Sequence, residues 1–210
     1  MKIFIVSLPR SGTTSLCECL ADMGLRVAHE AYTEQAIRLA DVVADVPAFS
    51  DYKELHSYFP EAKFIYIDRD VTEWSQSIKR LLPKIIARIE KTPNGFNRLL
   101  RHAYERIFGP LELALTADIS SIYLSHQERL VAYSQSCNVP LLRLRLGEPD
   151  SFKQIAHFVA REDNREQAFP HRNRSTIVTD WKKLKHPNKV DSYAHGPNRK
   201  AYLPYLTLAS

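Results

Sequence analysis

Residues 7–16, which read SLPRSGTTSL, have the residue types of a loop that binds phosphate. In a Walker loop, G-x-x-x-x-G-K-[ST], backbone N–H groups surround the phosphates and the lysine reaches the outer ones. Here Ser7 stands at the first glycine position and Thr13 at the lysine position, so the usual cation is missing. Arg10, inside the loop, can replace it. The loop precedes a helix-like pattern, and N–H groups at a helix start attract an anion. The residues expected to contact such an anion are Arg10, Ser11, Gly12, Thr13, Thr14 and Ser15.

A second pair of polar residues lies some sixty positions further along the chain. Arg69 follows a run rich in β-branched and aromatic residues at 63–67, and Ser77 comes eight residues later in a helical pattern. A guanidinium offers forked donors to a phosphate, and a hydroxyl one turn into the helix adds another. The alternative to phosphate binding is that Arg69 forms an ion pair with Asp68 or Asp70.

The segment PRSGTT at 9–14 fits the pattern P-[KR]-[ST]-G-T-[ST] at every position, and it resembles the phosphosulfate-binding loop of the P-loop sulfotransferases. Arg69 and Ser77 match the arginine and serine that bind the donor's 3′-phosphate in that family. Residues 45–77 and the segment FPHRN at 169–173 resemble a small bacterial-type branch. The resemblance implies the donor 3′-phosphoadenosine 5′-phosphosulfate (PAPS), the product adenosine 3′,5′-bisphosphate (PAP) and no metal. It also suggests Arg172 and Arg174 as further contacts to the 3′-phosphate.

Sulfuryl transfer needs a cation for the leaving oxygen and a base for the acceptor's proton. Arg10 is the candidate cation. Asp45 is the first candidate base, because Asp45-Val46-Pro47 stands where relatives carry a histidine in K-x-H-x-P. A carboxylate with a pKa near 4 is a weak base, so Asp45 would require burial. Asp45 could instead only cap a turn before Pro47. His29 is the second candidate.

Composition describes an ordinary globular chain with a basic excess. The 210 residues are 44% hydrophobic and 25% charged, with net charge +5 and pI near 9.1. This length suits a single domain, 1–210, whose basic C-terminal tail, 176–210, is either packed on it or flexible. Three cysteines without C-x-x-C spacing favour a reducing compartment, and no apolar stretch approaches the ~20 residues of a membrane span. We therefore expect a cytoplasmic protein with no membrane partner.

Apolar patterns predict strands that alternate with helices. Strands are expected at 2–6 and 63–69 and, near a sheet edge, at Leu142, Leu144 and Leu146. Helices are expected at 14–23, through Ile37, Ala40 and Val43, from a cap at Ser50 or Asp51 to Pro60, after Asp70 and from Pro149. A helical middle, 78–136, is interrupted at Pro83, Pro93 and Pro110, and its last helix carries Leu115, Ile119, Ile122 and Leu130.

This order predicts an α/β fold with three layers, like that of P-loop NTPases, with a central parallel sheet and a mainly helical middle insertion. In such folds ligands lie at the carboxyl ends of the strands. Arg10, Asp45 and Arg69 all follow strands and should therefore converge on one crevice.

The sequence is best explained as a PAPS-dependent sulfotransferase (EC 2.8.2 type) that modifies a hydroxyl or amine of a small-molecule or glycan acceptor. One alternative is a P-loop kinase, against which the missing lysine counts. The other is a non-catalytic protein that binds phosphorylated or nucleic-acid ligands through the loop and the basic tail. No nucleic-acid-binding motif is present, so no nucleic-acid partner is expected.

Overall fold

The structure is a computed structural model that describes residues 1–91, 95–160, 181 and 183–194, with residues 95–97 described by their backbone alone. Five strands form one parallel sheet in the order β2-β3-β1-β4-β5. The strands are β1 (Ile3–Ile5), β2 (Val27–Ala28), β3 (Val42–Ala44), β4 (Lys63–Ile67) and β5 (Leu141–Leu144).

Eight helices connect and cover these strands. They are α1 (Thr13–Asp22), α2 (Glu34–Leu39), α3 (Tyr52–Tyr58), α4 (Val71–Lys91), α5 (Gly95–Phe108), α6 (Leu111–Ala114), α7 (Ile119–Ser136) and α8 (Ser151–Phe158). The four helices α4 to α7 all fall between β4 and β5, which confirms the helical middle insertion. Among the described residues, no helix is long and apolar enough to cross a membrane.

The sheet separates two apolar cores because neighbouring residues of a strand face opposite sides. In β1, Phe4 packs into the core shared with α3 to α7, whereas Ile3 and Ile5 pack into the core shared with α1 and α8. All three side chains are fully buried. The strands therefore read as continuous apolar runs, as expected for parallel strands covered on both faces. The predicted three-layer α/β fold is confirmed.

The predicted edge strand is confirmed for Leu142 and Leu144 but not for Leu146, which lies beyond the end of β5; within the described ranges β5 lies at one end of the sheet and pairs only with β4. Its Leu144 is buried while Arg143 is exposed and pairs with Asp68 at 3.1 Å. The predicted helix start at Asp70 is confirmed as well, since Asp70 Oδ1 accepts a hydrogen bond from Glu73 N at 2.9 Å.

The helical pattern drawn through Val43 was wrong. Helix α2 ends at Leu39, and Val43 lies in β3, opposite Phe4 of β1 and Ala28 of β2. Ile37, Ala40 and Val43 nevertheless all pack into one core. Their spacing therefore indicated shared burial rather than a shared helix.

The predicted break at Pro83 was also wrong, because α4 continues through it. A proline inside a helix removes the hydrogen bond to the carbonyl four residues earlier, here that of Lys79. Both Pro83 and Lys79 are exposed, so water can reach this carbonyl. Pro93 lies outside the described residues, and Pro110 precedes α6 as its N-cap.

Helix α7 begins later than predicted, and α3 begins after Asp51 as predicted but without the expected side-chain cap. Leu115 does not belong to α7, which begins at Ile119 after Asp118 accepts a hydrogen bond from Ser121 N. Asp51 precedes α3 without capping it through its side chain. Its buried carboxylate instead contacts Arg106 at 3.0 Å and His102 at 3.2 Å.

The described part of the basic tail packs against the free edge of β2. Val27 N donates to Asn188 O, and Val190 N donates to Val27 O, each at 2.8 Å. Trp181 is buried, and the ring of Tyr193 stacks on that of Tyr32 with centroids 5.0 Å apart.

Candidate active site

Three predicted site residues follow neighbouring strands and lie at one edge of the sheet. Arg10 follows β1, Asp45 follows β3 and Arg69 follows β4, and these strands are adjacent and parallel. Arg69 Nη1 donates to the backbone carbonyl of Arg10 at 2.6 Å. The strand ends therefore bring together residues that are 59 positions apart in the chain.

The loop between β1 and α1 is held in place by buried polar contacts. Ser7 Oγ accepts a hydrogen bond from Ile67 N at 2.7 Å, and Trp74 Nε1 donates to Pro9 O at 2.8 Å. Arg10 has a positive φ of 74° and Gly12 one of 99°. A Cβ on Gly12 would lie 2.8 Å from Leu146 Cδ1, so both conformation and space favour glycine there.

This loop opens α1 without a side-chain cap. Gly12 is the N-cap, no acidic residue stands in the first turn, and Leu16 N makes the helix's first hydrogen bond, to Gly12 O at 3.3 Å. The N–H groups of residues 13–15 therefore have no acceptor within the helix. Ser11 is 4% exposed, and its hydroxyl has no hydrogen-bond partner among the residues that the structure describes. The uncapped helix start and the unused hydroxyl fit an anion.

Arg10, Ser77 and Arg69 form a connected cationic cluster beside this helix start. Arg10 Nε donates to Ser77 Oγ at 2.9 Å, and no carboxylate of the described residues lies within ion-pair distance of Arg10. Burial, then the nearby Arg69 and Arg80, lower the pKa of Arg10, which nevertheless remains charged at neutral pH. Arg69 also lies 3.7 Å from the exposed Glu73. The excess of positive charge suits a doubly charged phosphate.

The backbone of Arg69 is fixed by one side chain of the helical insertion. Tyr123 OH accepts from Arg69 N at 2.9 Å and donates to Arg69 O at 3.1 Å. The Tyr123 ring packs on that of Trp74, with centroids 4.8 Å apart. Trp74 is fully buried and supports the loop through its hydrogen bond to Pro9 O.

His29 is turned towards the loop. Its Nε2 lies 3.2 Å from Thr13 Oγ1 and 3.1 Å from Thr14 Oγ1. Burial lowers the pKa of His29 to about 4, so the imidazole is neutral at pH 7 and can share one hydrogen bond with these hydroxyls. Its ring also packs against Trp181, with centroids 5.6 Å apart. Through these contacts His29 packs behind the loop and helps to fix the side chains of Thr13 and Thr14.

Asp45 lies at the end of β3 with a positive φ of 55°. Burial, and then the neighbouring charge of Glu30, raise its pKa from 3.8 to about 8, although a hydrogen bond from Val46 N and the charges of Arg88 and Arg10 oppose this change. The carboxylate is therefore a much stronger base than an exposed aspartate. Asp45 is partly buried, in the direction that its role as a base requires.

Sequence reasoning missed the side chains that surround Asp45. Glu30 follows β2, and Tyr32 OH donates to Glu30 Oε2 at 2.9 Å. Arg88 and Tyr104 reach the same place from α4 and α5. Glu30 could have been found by the rule that selected Arg10, Asp45 and Arg69, because it also follows a strand.

A cavity of about 770 Å³ lies on the other side of Glu30. Its described lining comes from Glu30 and the C-terminal segment, and none of it from the loop at 9–15. Apolar walls are provided by Trp181, Leu184, Pro187 and Tyr193. The cavity thus reaches Asp45 only through Glu30 and the loop only through the ring contact of Trp181 with His29 among the described residues.

Arg172 and Arg174, and the segment at 169–173, lie outside the described residues. Across the described ranges, no group of three or more His, Cys, Asp or Glu side chains is arranged to hold a metal ion.

A parallel sheet covered by helices on both faces, with a loop that leads from its first strand directly into its first helix, defines an α/β protein with a P-loop-like fold. The family model for the sulfotransferase domain matches residues 29–178 of the 210. The chain therefore belongs to the sulfotransferase family, and its general activity is sulfuryl transfer. Comparison with curated protein sequences finds no match.

The match includes Asp45, Arg69 and Ser77 but begins after the loop at 9–14. The interpretation of that loop therefore rests on its own sequence and geometry.

Proposed function

We propose that this protein transfers the sulfuryl group of PAPS to a hydroxyl or amine of an acceptor and releases PAP. The observation that carries the proposal is the cationic cluster of Arg10, Arg69 and Ser77 beside the uncapped start of α1. The helix start suits the 5′-phosphosulfate, and Arg69 with Ser77 suits the 3′-phosphate. A donor with phosphate at both positions uses all of these groups.

PAPS supplies the activated sulfuryl group, and the residues of the chain orient and stabilise the reacting atoms. Asp45 removes the proton from the acceptor's hydroxyl or amine as its oxygen or nitrogen bonds to sulfur. The bond between sulfur and the bridging oxygen breaks, and its electron pair stays on that oxygen. Arg10 and the N–H groups at the start of α1 offset the charge that develops there.

The cavity beside Glu30 is the proposed acceptor site. Asp45 lies next to Glu30, which lines the cavity, so an acceptor held there presents its reactive group on the Asp45 side. The volume of about 770 Å³ is sufficient for a small molecule or for a sugar residue of a glycan.

A kinase on the same scaffold fits the loop less well. A Walker lysine reaches the outer phosphates of a nucleoside triphosphate, and here Thr13 takes its place with its hydroxyl 3.2 Å from His29. The positive charge instead comes from Arg10 and Arg69.

Titration calorimetry with PAP, compared with ATP plus magnesium, tests the proposed donor. We expect PAP to bind to the purified protein more tightly than ATP. Absence of PAP binding to the folded protein, with or without stronger binding of ATP, would refute the proposal. Salt-sensitive binding of oligonucleotides without PAP affinity would favour the non-catalytic alternative.

Asp45→Asn tests the base separately, once an acceptor has been found by screening with radiolabelled PAPS. Loss of turnover is expected with PAP affinity unchanged, because Asp45 takes the proton but does not hold the phosphates. Turnover equal to that of the wild-type protein would exclude Asp45 as the base.

A further inference from the structure

Glu30 and Asp45 stand opposite each other at the ends of two paired strands. In the register of the sheet, Val27 pairs with Val42 and Ala28 with Val43. Just beyond the strands, where Asp45 has a positive φ of 55°, Ala31 N donates a hydrogen bond to Val46 O at 2.9 Å. Glu30 and Asp45 immediately precede these two hydrogen-bonded residues and therefore lie side by side at the ends of neighbouring strands.

Side chains from other elements hold Glu30 in this place. Tyr32 OH donates to Glu30 Oε2 at 2.9 Å, and Arg88 Nη2 donates to Tyr32 OH at 3.4 Å. Tyr193 stacks on Tyr32 from the opposite direction. The Glu30 carboxylate thus has a fixed hydrogen-bond donor, and the Arg88 guanidinium lies nearby.

The remaining titratable groups around the pair come from every element packed against it. The groups that act on Asp45 or Glu30 are Arg10, Cys17, His29, Tyr32, Arg88, Tyr104 and Tyr193. Lys185, His186, Lys189 and Asp191 line the cavity together with Glu30. Arg10 and Arg88 are the cations among the groups that act on the pair, and Glu30 is the anion that faces Asp45. Glu30 therefore opposes the effect of both arginines on Asp45.

We propose that Glu30 is a positioning residue for sulfuryl transfer, which acts by keeping a negative charge opposite Asp45 so that Asp45 can take the acceptor's proton. The proposal rests on the proposed function through the role given to Asp45. Because Glu30 also lines the cavity, it lies beside both the proposed acceptor site and the base. Removing its charge should make Asp45 a weaker base that ionises at lower pH.

Carbon NMR of protein labelled at the aspartate carboxyls measures this effect without any acceptor. The Asp45 signal is assigned from its loss in Asp45→Asn and is then titrated in wild-type protein and in Glu30→Gln. We expect the Asp45 midpoint to fall by about one pH unit in Glu30→Gln, since the like charge opposite it is lost. Glu61→Gln is the control, because Glu61 is exposed and precedes β4, at the opposite edge of the sheet.

An unchanged Asp45 midpoint in a folded Glu30→Gln variant would overturn the proposal. If that variant does not fold, the wild-type titration decides. Interacting carboxyl groups titrate together, so the Asp45 signal should show a second inflection from Glu30. A single inflection would then refute the coupling.

Activity gives a second readout, which separates positioning from a merely structural role. In Glu30→Gln the acidic limb of the kcat/KM profile should move to lower pH by the same amount as the NMR midpoint, while the plateau rate falls. A uniform loss of rate with the limb unmoved would contradict the proposal. PAP calorimetry distinguishes failure of the proposed function from failure of the role of Glu30. If wild-type protein does not bind PAP, the proposed function is wrong. If it binds PAP but the Asp45 midpoint does not move in Glu30→Gln, only the role of Glu30 is wrong.

Discussion

Asp45→Asn should stabilise the folded protein, and the gain should increase as the pH rises. The folded state raises the pKa of Asp45 from 3.8 to about 8. The folded protein therefore binds this proton more tightly than the unfolded chain does. The contribution to stability is fully present below pH 3.8 and is lost as the pH rises through about 8. Asparagine carries no charge at any of these pH values and avoids the loss.

The size of the effect follows from the change in pKa. A change of one pKa unit corresponds to about 1.4 kcal/mol. If the whole pKa shift of Asp45 is realised, the unfolding free energy of wild-type protein falls by at most about 4 kcal/mol between pH 5 and pH 9. Asp45 is only partly buried and titrates beside Glu30, so solvent screening reduces this value. We expect Asp45→Asn to gain about 2 kcal/mol over wild-type protein between pH 5 and pH 9.

Urea unfolding at pH 5, 7 and 9 measures this difference for the two proteins, with equal m-values as the condition for comparison. Glu61→Gln removes an exposed carboxylate and controls for the change in net charge. A difference in unfolding free energy between Asp45→Asn and wild type that stays constant from pH 5 to pH 9 would refute the reasoning, whatever its absolute size.

Three further variants test the donor site. Arg69→Ala should weaken PAP binding, measured by calorimetry, at least about tenfold, because a charged hydrogen bond to phosphate contributes ~1.5 kcal/mol or more. Substitution of the exposed Arg38 by alanine is the control. Equal PAP affinities of Arg69→Ala and wild-type protein would remove Arg69 from the site. Gly12→Ala and Gly24→Ala both place alanine at a positive φ, but only Gly12 has Leu146 Cδ1 2.8 Å from the added Cβ. Both variants should lower the melting temperature, whereas only Gly12→Ala should also weaken PAP binding; an equal effect of both on PAP would contradict the loop geometry. Trp74→Phe leaves the carbonyl of Pro9 without its buried donor and should cost about 1–3 kcal/mol in urea unfolding. An unchanged unfolding free energy would show that this hydrogen bond does not stabilise the loop.

The sequence was sufficient to predict the fold because continuous apolar runs and helical spacing reflect burial directly. It was insufficient where the burial pattern or the residue type did not determine the secondary structure. Val43 shares a core with Ile37 and Ala40 while lying in a strand, and Pro83 remains in a helix because the carbonyl it leaves unpaired faces water. Such cases depend on which neighbour covers a residue.

The residues of the site likewise include some that the sequence could select and some that it could not. Arg10, Arg69 and Ser77 could be selected because their spacing follows a family pattern and the strand ends lie at one edge of the sheet. Glu30 has no such pattern, and its position opposite Asp45 depends on the pairing of β2 with β3. The contacts of Tyr32 and Arg88 likewise depend on packing between distant segments. A single sequence contains no direct signal of either pairing or packing.

The C-terminal segment that hydrogen-bonds to Val27 has a consequence for behaviour in solution. A parallel sheet with an exposed edge offers unpaired N–H and C=O groups to strands of other molecules. On the β2 side, residues 188–190 occupy these groups from within the chain. At the other edge, Arg143 of β5 adds the charge that discourages strand addition. The two ends of the sheet are thus protected against self-association by different means, one by the chain's own backbone and one by charge.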